Sequence, residues 1–184
     1  MATSAGALAL KTPAPAGKQG NLDAAGGREF LSFWLGEEEY GIDILKVREI
    51  RSFEKPTRIA NAPAHVLGVL NLRGDIVPIY DLRLRYGLAN AGFSLQTVTI
   101  VLAVNEGVVG VVVDAVSDVV DLAAHDIRPA PEISAGVSGD IATECILGLG
   151  VIADGERQRM LILTDIERLM SSLSQTPQAL PLLA

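Results

Sequence analysis

Residues 71–83 read Asn71-Leu72-Arg73-Gly74-Asp75-Ile76-Val77-Pro78-Ile79-Tyr80-Asp81-Leu82-Arg83, and this run is the main signal for the architecture of the chain. Apolar residues lie on both sides of the pair Gly74-Asp75, which tolerates positive φ, so the run predicts a tight β-hairpin with Arg73 at its tip. Asp81 ends the second arm, and its carboxylate can cap a short helix over residues 82–86. A solvated turn arginine and a protein-recognition anchor are both open interpretations of Arg73.

Short strands joined by Gly turns recur on both sides of this hairpin. The last predicted hairpin resembles the central one, and Asp165 begins a closing helix after it as Asp81 does after the first. Mixed helical and alternating spacing over residues 44–51 predicts a helical turn followed by a strand. The flanking strand pairs are predicted at residues 30–35 with 39–43, 98–104 with 108–113, and 146–153 with 160–163.

The second half of the chain is a weak repeat of the first. Laying Tyr40-Gly41-Ile42 on Val109-Gly110-Val111 also lays Val47 on Val116, Glu49 on Asp118 and Ile50 on Val119. Such a repeat predicts two similar β units of about 70 residues each, built as twin small barrels. Tandem repeats can exchange strands, so the sequence leaves open which barrel contains the last hairpin.

Composition predicts a folded domain with loose ends. Of 184 residues 49% are apolar but only 4% aromatic, so the core is expected to be aliphatic and rich in sheet. No apolar run reaches the roughly 20 residues needed to cross a bilayer, which predicts no direct membrane insertion. Residues 1–27 predict a disordered arm and residues 173–184 a loose tail. A single cysteine fits a reducing cytoplasm.

Charge is distributed unevenly. The net charge is −7; residues 28–90 hold nine basic and nine acidic side chains, whereas residues 91–172 hold four basic and twelve acidic ones. We therefore expect a more negative surface on the second half. Neither half has the basic patch of a nucleic-acid-binding protein.

Catalytic motifs are missing from the sequence. It has no phosphate-binding loop, no nucleophile elbow and no paired metal-binding histidines. His65, His125 and Cys145 lie far apart, and acids such as Asp118 lie where strands end and act more often as caps. The sequence therefore predicts no enzyme, no catalytic residue, no metal site and no cofactor.

Five motifs follow one another along the chain: EEYGIDILKVREI (38–50), NLRGDIVPIYDLR (71–83), VVGVVVDAVSDVV (108–120), IRPAP (127–131) and RMLILTDIERLM (159–170). In order and in register, they resemble the CheW-like family of bacterial chemotaxis coupling proteins over about residues 28–172. The resemblance implies a mainly β fold with a few short helices, in which two SH3-like five-stranded β-barrels, roughly residues 28–90 and 91–172, pack on a shared apolar core.

The resemblance also implies a function. Family members are cytoplasmic, non-enzymatic scaffolds, recruited to receptor arrays at the inner membrane, that couple the cytoplasmic hairpin of methyl-accepting chemoreceptors to the regulatory domain of the histidine kinase CheA. The matching receptor-binding positions are Val47, Glu49, Arg73, Val98, Gly110 and Val119, and the kinase-binding positions are Ile44, Ile50 and Arg128.

Some alternatives remain open at this point. From the residues alone, Val47, Val98 and Val119 suit a barrel core as well as a cleft between barrels. A coupling-like adaptor of a non-flagellar receptor and kinase pathway fits the same motifs. A small-ligand-binding β-barrel module is a further alternative, and it would contain an apolar pocket.

Overall fold

A computed structural model describes residues 27–88, 92–105, 107–130 and 144–174, and the protein is mainly β. Helix α1 spans Leu82–Arg85 and α2 spans Ile166–Ser174, with 3₁₀ turns at Ile44–Lys46 and Ala124–Asp126. Residues 1–26 of the predicted arm and 175–184 of the predicted tail lie outside the described residues. The strands are β1 (Arg28–Leu35), β2 (Glu38–Asp43), β3 (Val47–Ser52), β4 (Val66–Leu72), β5 (Asp75–Asp81), β6 (Val98–Val104), β7 (Gly107–Val113), β8 (Ala115–Leu122), β9 (Ile127–Arg128), β10 (Ile146–Asp154) and β11 (Arg157–Thr164).

The strands form two SH3-like barrels that exchange segments of chain. The first barrel has the strand order β8-β1-β2-β11-β10-β9, and the second has the order β3-β6-β7-β5-β4. The sheets therefore do not follow the division into residues 28–90 and 91–172, because β1 and β2 join strands from the second half. The first barrel also has six strands rather than five, since the two-residue β9 pairs with β10.

The two barrels repeat one pattern of pairing. β5 runs parallel to β7, and β11 runs parallel to β2 in the equivalent place. The backbone N–H of Asp81 donates to His65 O at 2.7 Å, and that of Asp165 donates to Cys145 O at 2.7 Å. Each aspartate then caps its helix, Asp81 through Arg83 N and Asp165 through Arg168 N. The sequence repeat is thus a structural repeat with strands exchanged between its copies.

A shared apolar core joins the barrels, as the resemblance implied. Alternation along β1 directs Leu31, Phe33 and Leu35 toward the neighbouring barrel, whereas Phe30 points into its own. Helix α2 covers this core, and Leu173, which the sequence assigned to the loose tail, is one of its buried residues. The buried residues of the shared core include Ile42, Leu82, Ile100, Leu102, Val111, Val113, Cys145, Ile166 and Leu169.

A buried ion pair lies at the end of the run 71–83. Arg83 is only 1% exposed, and its Nε and Nη2 donate to the two carboxylate oxygens of buried Asp81 at 2.9 and 2.8 Å. Its Nη1 also donates to Gly92 O at 2.7 Å and to Asp114 Oδ1 at 3.1 Å. The other oxygen of Asp114 accepts from Gly36 N in the β1–β2 turn. Arg83 therefore links the second barrel to the first through hydrogen bonds that satisfy its buried charge.

Candidate functional site

The tip of the β4–β5 hairpin is a two-residue turn. Leu72 pairs with Asp75, so the turn residues are Arg73 and Gly74, with φ of 56° and 100°. The predicted turn pair Gly74-Asp75 is therefore wrong by one residue, because Asp75 belongs to the strand ladder. Asn71 Oδ1 accepts a hydrogen bond from Gly74 N at 2.8 Å and holds the turn closed.

Arg73 occupies a backbone conformation that favours glycine. A non-glycine residue at positive φ is uncommon and raises the local energy, and such strain clusters at functional sites. The side chain is 83% exposed, and its Nη2 donates to Glu49 Oε2 at 3.1 Å. An arginine placed in this way adds little to folding, since its side chain is largely exposed and its ion pair is open to water.

Arg73 and Glu49 stand at one end of the second barrel, at the lip of a cleft of about 330 Å³. The floor of the cleft is the barrel's own interior, and its rim carries charges of both signs. We call it the Arg73 cleft. It is lined by Arg48, Glu49, Leu72, Arg73, Asp75, Val77, Val101 and Val108.

The structure brings only part of the predicted receptor site together. Glu49 and Arg73 are in contact. Val47 and Val98 are half-buried on β3 and β6, and both pack against the shared core, so each contributes to folding. Val119 is exposed on β8 of the other barrel, opposite Leu31.

Gly110 lies inside the second barrel, where it is buried. It pairs with Val101 on one side and with Ile79 on the other. A β-carbon at this position would lie 2.5 Å from Ile79 Cδ1 and 3.1 Å from Thr99 Cγ2. The glycine is therefore required by close packing, and a larger residue would displace buried Ile79.

The predicted kinase positions fall on both barrels. Ile44 is half-buried in the 3₁₀ turn before β3 and packs on the shared core, while Ile50 is exposed on β3 itself. Arg128 is exposed in β9, where it pairs with Leu149 at the edge of the first barrel. Ile50 and Arg128 are accessible to a partner, whereas Ile44 has a structural role as well.

The first barrel contains a counterpart of the Glu49–Arg73 pair. Asp118, which the repeat aligns with Glu49, accepts from Arg159 Nη2 at 3.0 Å and from Ser32 Oγ at 2.6 Å. Arg159 also donates to buried Glu39 at 2.5 Å, so this pair is tied into three strands. The hydrogen bond from Arg159, followed by that from Ser32, lowers the pKa of Asp118 to about 2. Glu39 and Arg159 were not singled out from the sequence, because the repeat alignment relates only Asp118 of this cluster to a predicted site residue, Glu49.

The described parts of the chain hold neither a metal-binding cluster nor a membrane-spanning helix. Within them, no group of three or more His, Cys, Asp and Glu side chains could hold a metal ion. No helix among the same residues is long and apolar enough to cross a bilayer. Burial raises the pKa of the Cys145 thiol, which therefore behaves as a small apolar side chain.

Two SH3-like barrels on one core, with a charged cleft at the end of one barrel, place the protein in the class of double-barrel β proteins. A CheW-like domain matches residues 29–174. The chain is 54% identical over 146 residues to Chemotaxis protein CheW of Klebsiella aerogenes, covering 79% of this chain and 83% of that protein. It is 39% identical to Chemotaxis protein CheW of Rhizobium meliloti, covering 80% and 90%.

A solved structure agrees with these relatives. The scaffolding protein TtCheW of Thermoanaerobacter tengcongensis superposes with a TM-score of 0.66 at 30% identity, covering 77% of this chain and 86% of that chain. The chain belongs to the CheW-like family. Its relatives are chemotaxis and scaffold proteins, so the comparisons indicate no enzymatic activity.

Proposed function

We propose that this protein is a cytoplasmic, non-enzymatic scaffold that couples the cytoplasmic hairpin of chemoreceptors to the regulatory domain of the histidine kinase CheA. The observation that carries the proposal is Arg73, strained at positive φ and 83% exposed at the lip of a cleft. Membership of the CheW-like family supports the choice of partners.

The receptor contact is proposed at the Arg73 cleft and its surroundings. An exposed ion pair such as Glu49–Arg73 is worth about 1 kcal/mol or less, so a partner's carboxylate can replace Glu49 at small cost. A receptor helix placed there would meet charges of both signs above an apolar floor. The proposed receptor-binding residues are Val47, Glu49, Arg73, Val98, Gly110 and Val119, with Gly110 acting through packing.

The kinase contact is proposed at Ile44, Ile50 and Arg128. These positions lie on both barrels, which suits a partner made of similar barrels. Binding both partners at once raises their effective concentration for each other and brings the kinase under receptor control. Heterologous barrel contacts also permit closed rings in which scaffold and kinase domain alternate at receptor arrays on the inner membrane.

The test is co-sedimentation of purified kinase with receptor-containing membranes. The wild-type protein is compared with Arg73→Asp and with Arg157→Asp, a matched charge reversal beside the turn of the equivalent β10–β11 hairpin. We expect wild type and Arg157→Asp to carry kinase into the pellet and Arg73→Asp to lose most of that recruitment. Circular dichroism confirms that each variant is folded.

The other outcomes of this assay overturn different parts of the proposal. Recruitment by Arg73→Asp at the wild-type level would place the receptor contact away from the hairpin tip. Failure of the wild-type protein to recruit kinase would reject these partners.

A further inference from the structure

A second groove lies at the opposite end of the second barrel, outside every position considered above. It has a volume of about 430 Å³ and lies beside Leu67, six residues and roughly 20 Å along β4 from Arg73. We call it the Phe93 groove. It is lined by Phe53, Lys55, Pro56, Arg58, Ile59, Ala62, Pro63, Ala64, Val66, Leu67 and Phe93.

The groove combines an apolar surface with an unpaired basic rim. Ile59 and Phe93 are 51% and 53% exposed, and the Phe93 ring stacks on Phe53 with centroids 4.1 Å apart. Lys55 and Arg58 are the titratable residues of the lining. Among the residues that the structure describes, neither forms an ion pair, whereas nearby Glu54 is paired with Arg51.

The described segment at the equivalent place in the first barrel pairs differently. There β9 pairs with β10 through Arg128 and Ile127. In the second barrel the corresponding segment makes one bridge, from Thr57 to Val69, and residues on either side of Thr57 line the groove. Among the described residues, this segment therefore pairs with its neighbour at two positions in the first barrel and at one position in the second.

The Thr57 bridge also decides what kind of partner fits. Thr57 and Val69 exchange two backbone hydrogen bonds of 2.9 Å, which occupy the edge of β4 at that point. Gly68 lies against this bridge, where a β-carbon would be 2.0 Å from Thr57 O. An added strand would need that edge to be free, so the partner must bind through its side chains. A helix does so, with apolar anchors at i, i+3 or i+4, and i+7.

We infer that the Phe93 groove binds an acidic amphipathic helix of a partner protein, which inserts an apolar stripe and places Asp or Glu side chains against Lys55 and Arg58. The chain as a whole has a net charge of −7, but the rim of this groove carries two unpaired cations. These cations attract acidic side chains and disfavour basic ones, so the groove is selective for an acidic helix. The groove and the Arg73 cleft lie at opposite ends of one barrel, so both can be occupied together.

The test uses the full chain and two synthetic 18-residue helical peptides. The first is Ala-based with Leu at i, i+4, i+7 and i+11 and Glu beside the Leu stripe; the second has every Glu replaced by Lys. Binding is followed by amide chemical shifts and by titration at two salt concentrations. We expect the Glu peptide to shift Ile59 and Phe93, to weaken with salt, and to bind better than the Lys peptide.

Charge reversal supplies the second arm of the test. The double variant Lys55→Glu with Arg58→Glu is expected to weaken binding of the Glu peptide about tenfold, or about 1.4 kcal/mol. Arg157→Glu is the control outside the groove and is expected to leave binding unchanged. Circular dichroism and thermal unfolding show that the variants are folded.

Three results would overturn the inference. Equal binding of both peptides would make the groove an unselective apolar surface. Shifts centred on Arg73 would move the peptide to the other cleft. If the chain self-associates and Ile59→Asp abolishes that association, a second copy of the chain occupies the groove. None of these results depends on recruitment of kinase to receptors, so the inference and the proposed function fail separately.

Discussion

At the residue scale, two arginines of the same run have opposite roles. Arg83 is buried and all three of its guanidinium nitrogens donate hydrogen bonds, whereas Arg73 is exposed and makes one ion pair. The fold therefore depends on Arg83, which no sequence pattern singles out, and the proposed binding depends on Arg73. Both arginines follow an apolar residue in a similar local sequence. Their roles therefore differ only through the surroundings of each side chain in the folded protein.

Replacing Arg83 by Ala is expected to lower the free energy of unfolding by about 3–5 kcal/mol, because the substitution leaves the buried charge of Asp81 without a partner. Arg73→Ala is expected to lower it by less than about 1 kcal/mol. Urea unfolding of both variants measures the difference. Similar losses in the two variants would contradict the contrast between them.

The Asp118 network predicts a pH dependence. Its pKa is lowered from 3.8 to about 2 in the folded protein, first through Arg159, so this carboxylate stabilises the fold above pH 3.8. That contribution is lost as the pH falls from 3.8 toward 2, and it is modest because the Asp118 side chain is 48% exposed.

Asp118→Asn is therefore expected to flatten the decline in stability between pH 4 and 2 relative to wild type. Urea unfolding midpoints at several pH values measure this decline. Asp121→Asn, an exposed acid on the same strand, serves as the matched control and is expected to retain the wild-type slope. Parallel profiles for wild type and Asp118→Asn would contradict the prediction.

At the element scale, the hairpin was predictable and its exact turn was not. Apolar arms around a glycine identify a hairpin, and Asp81 identifies the following helix, because both signals are local. The observed turn lies one residue earlier than the predicted one because Asp75 pairs with Leu72. Such pairing depends on the register of the whole strand ladder. For the same reason, the exposure of Val119 and the packing of Gly110 could not be predicted from their own strands.

Arg73→Gly is expected to leave the free energy of unfolding unchanged or to raise it by up to about 1 kcal/mol, because glycine adopts the positive φ of this turn without strain. Recruitment of kinase to receptor membranes is expected to fall in the same variant, because the guanidinium is lost. Urea unfolding and co-sedimentation measure the two effects. A destabilised Arg73→Gly would show that the side chain supports the fold.

At the scale of the whole molecule, the exchange of strands between barrels is what the sequence left open. The repeat was visible because equivalent strands keep similar patterns, but those same patterns make each strand acceptable to either barrel. For the same reason, the charge difference between the two sequence halves does not correspond to a difference between the two barrels residue for residue, since each barrel contains strands from both halves. The resemblance supplied the shared core, which explains why two barrels with exchanged strands form one unit.

That core predicts that the barrels unfold together. Trp34 is the only tryptophan and lies on β1, so its fluorescence reports the first barrel. Ile79 is fully buried inside the second barrel, and Ile79→Ala is expected to cost about 2–5 kcal/mol. If the shared core couples the barrels, the Trp34 transition moves to lower urea by the same amount as the transition seen by circular dichroism.

Leu161→Ala, inside the first barrel, gives the reference shift for a direct effect on Trp34's own barrel. Coupling is expected because β1 and β2, which pair with β8 and β11, also pack through the shared core against β6 and β7. A Trp34 transition that Ile79→Ala leaves unchanged would mean that the two barrels unfold as independent domains.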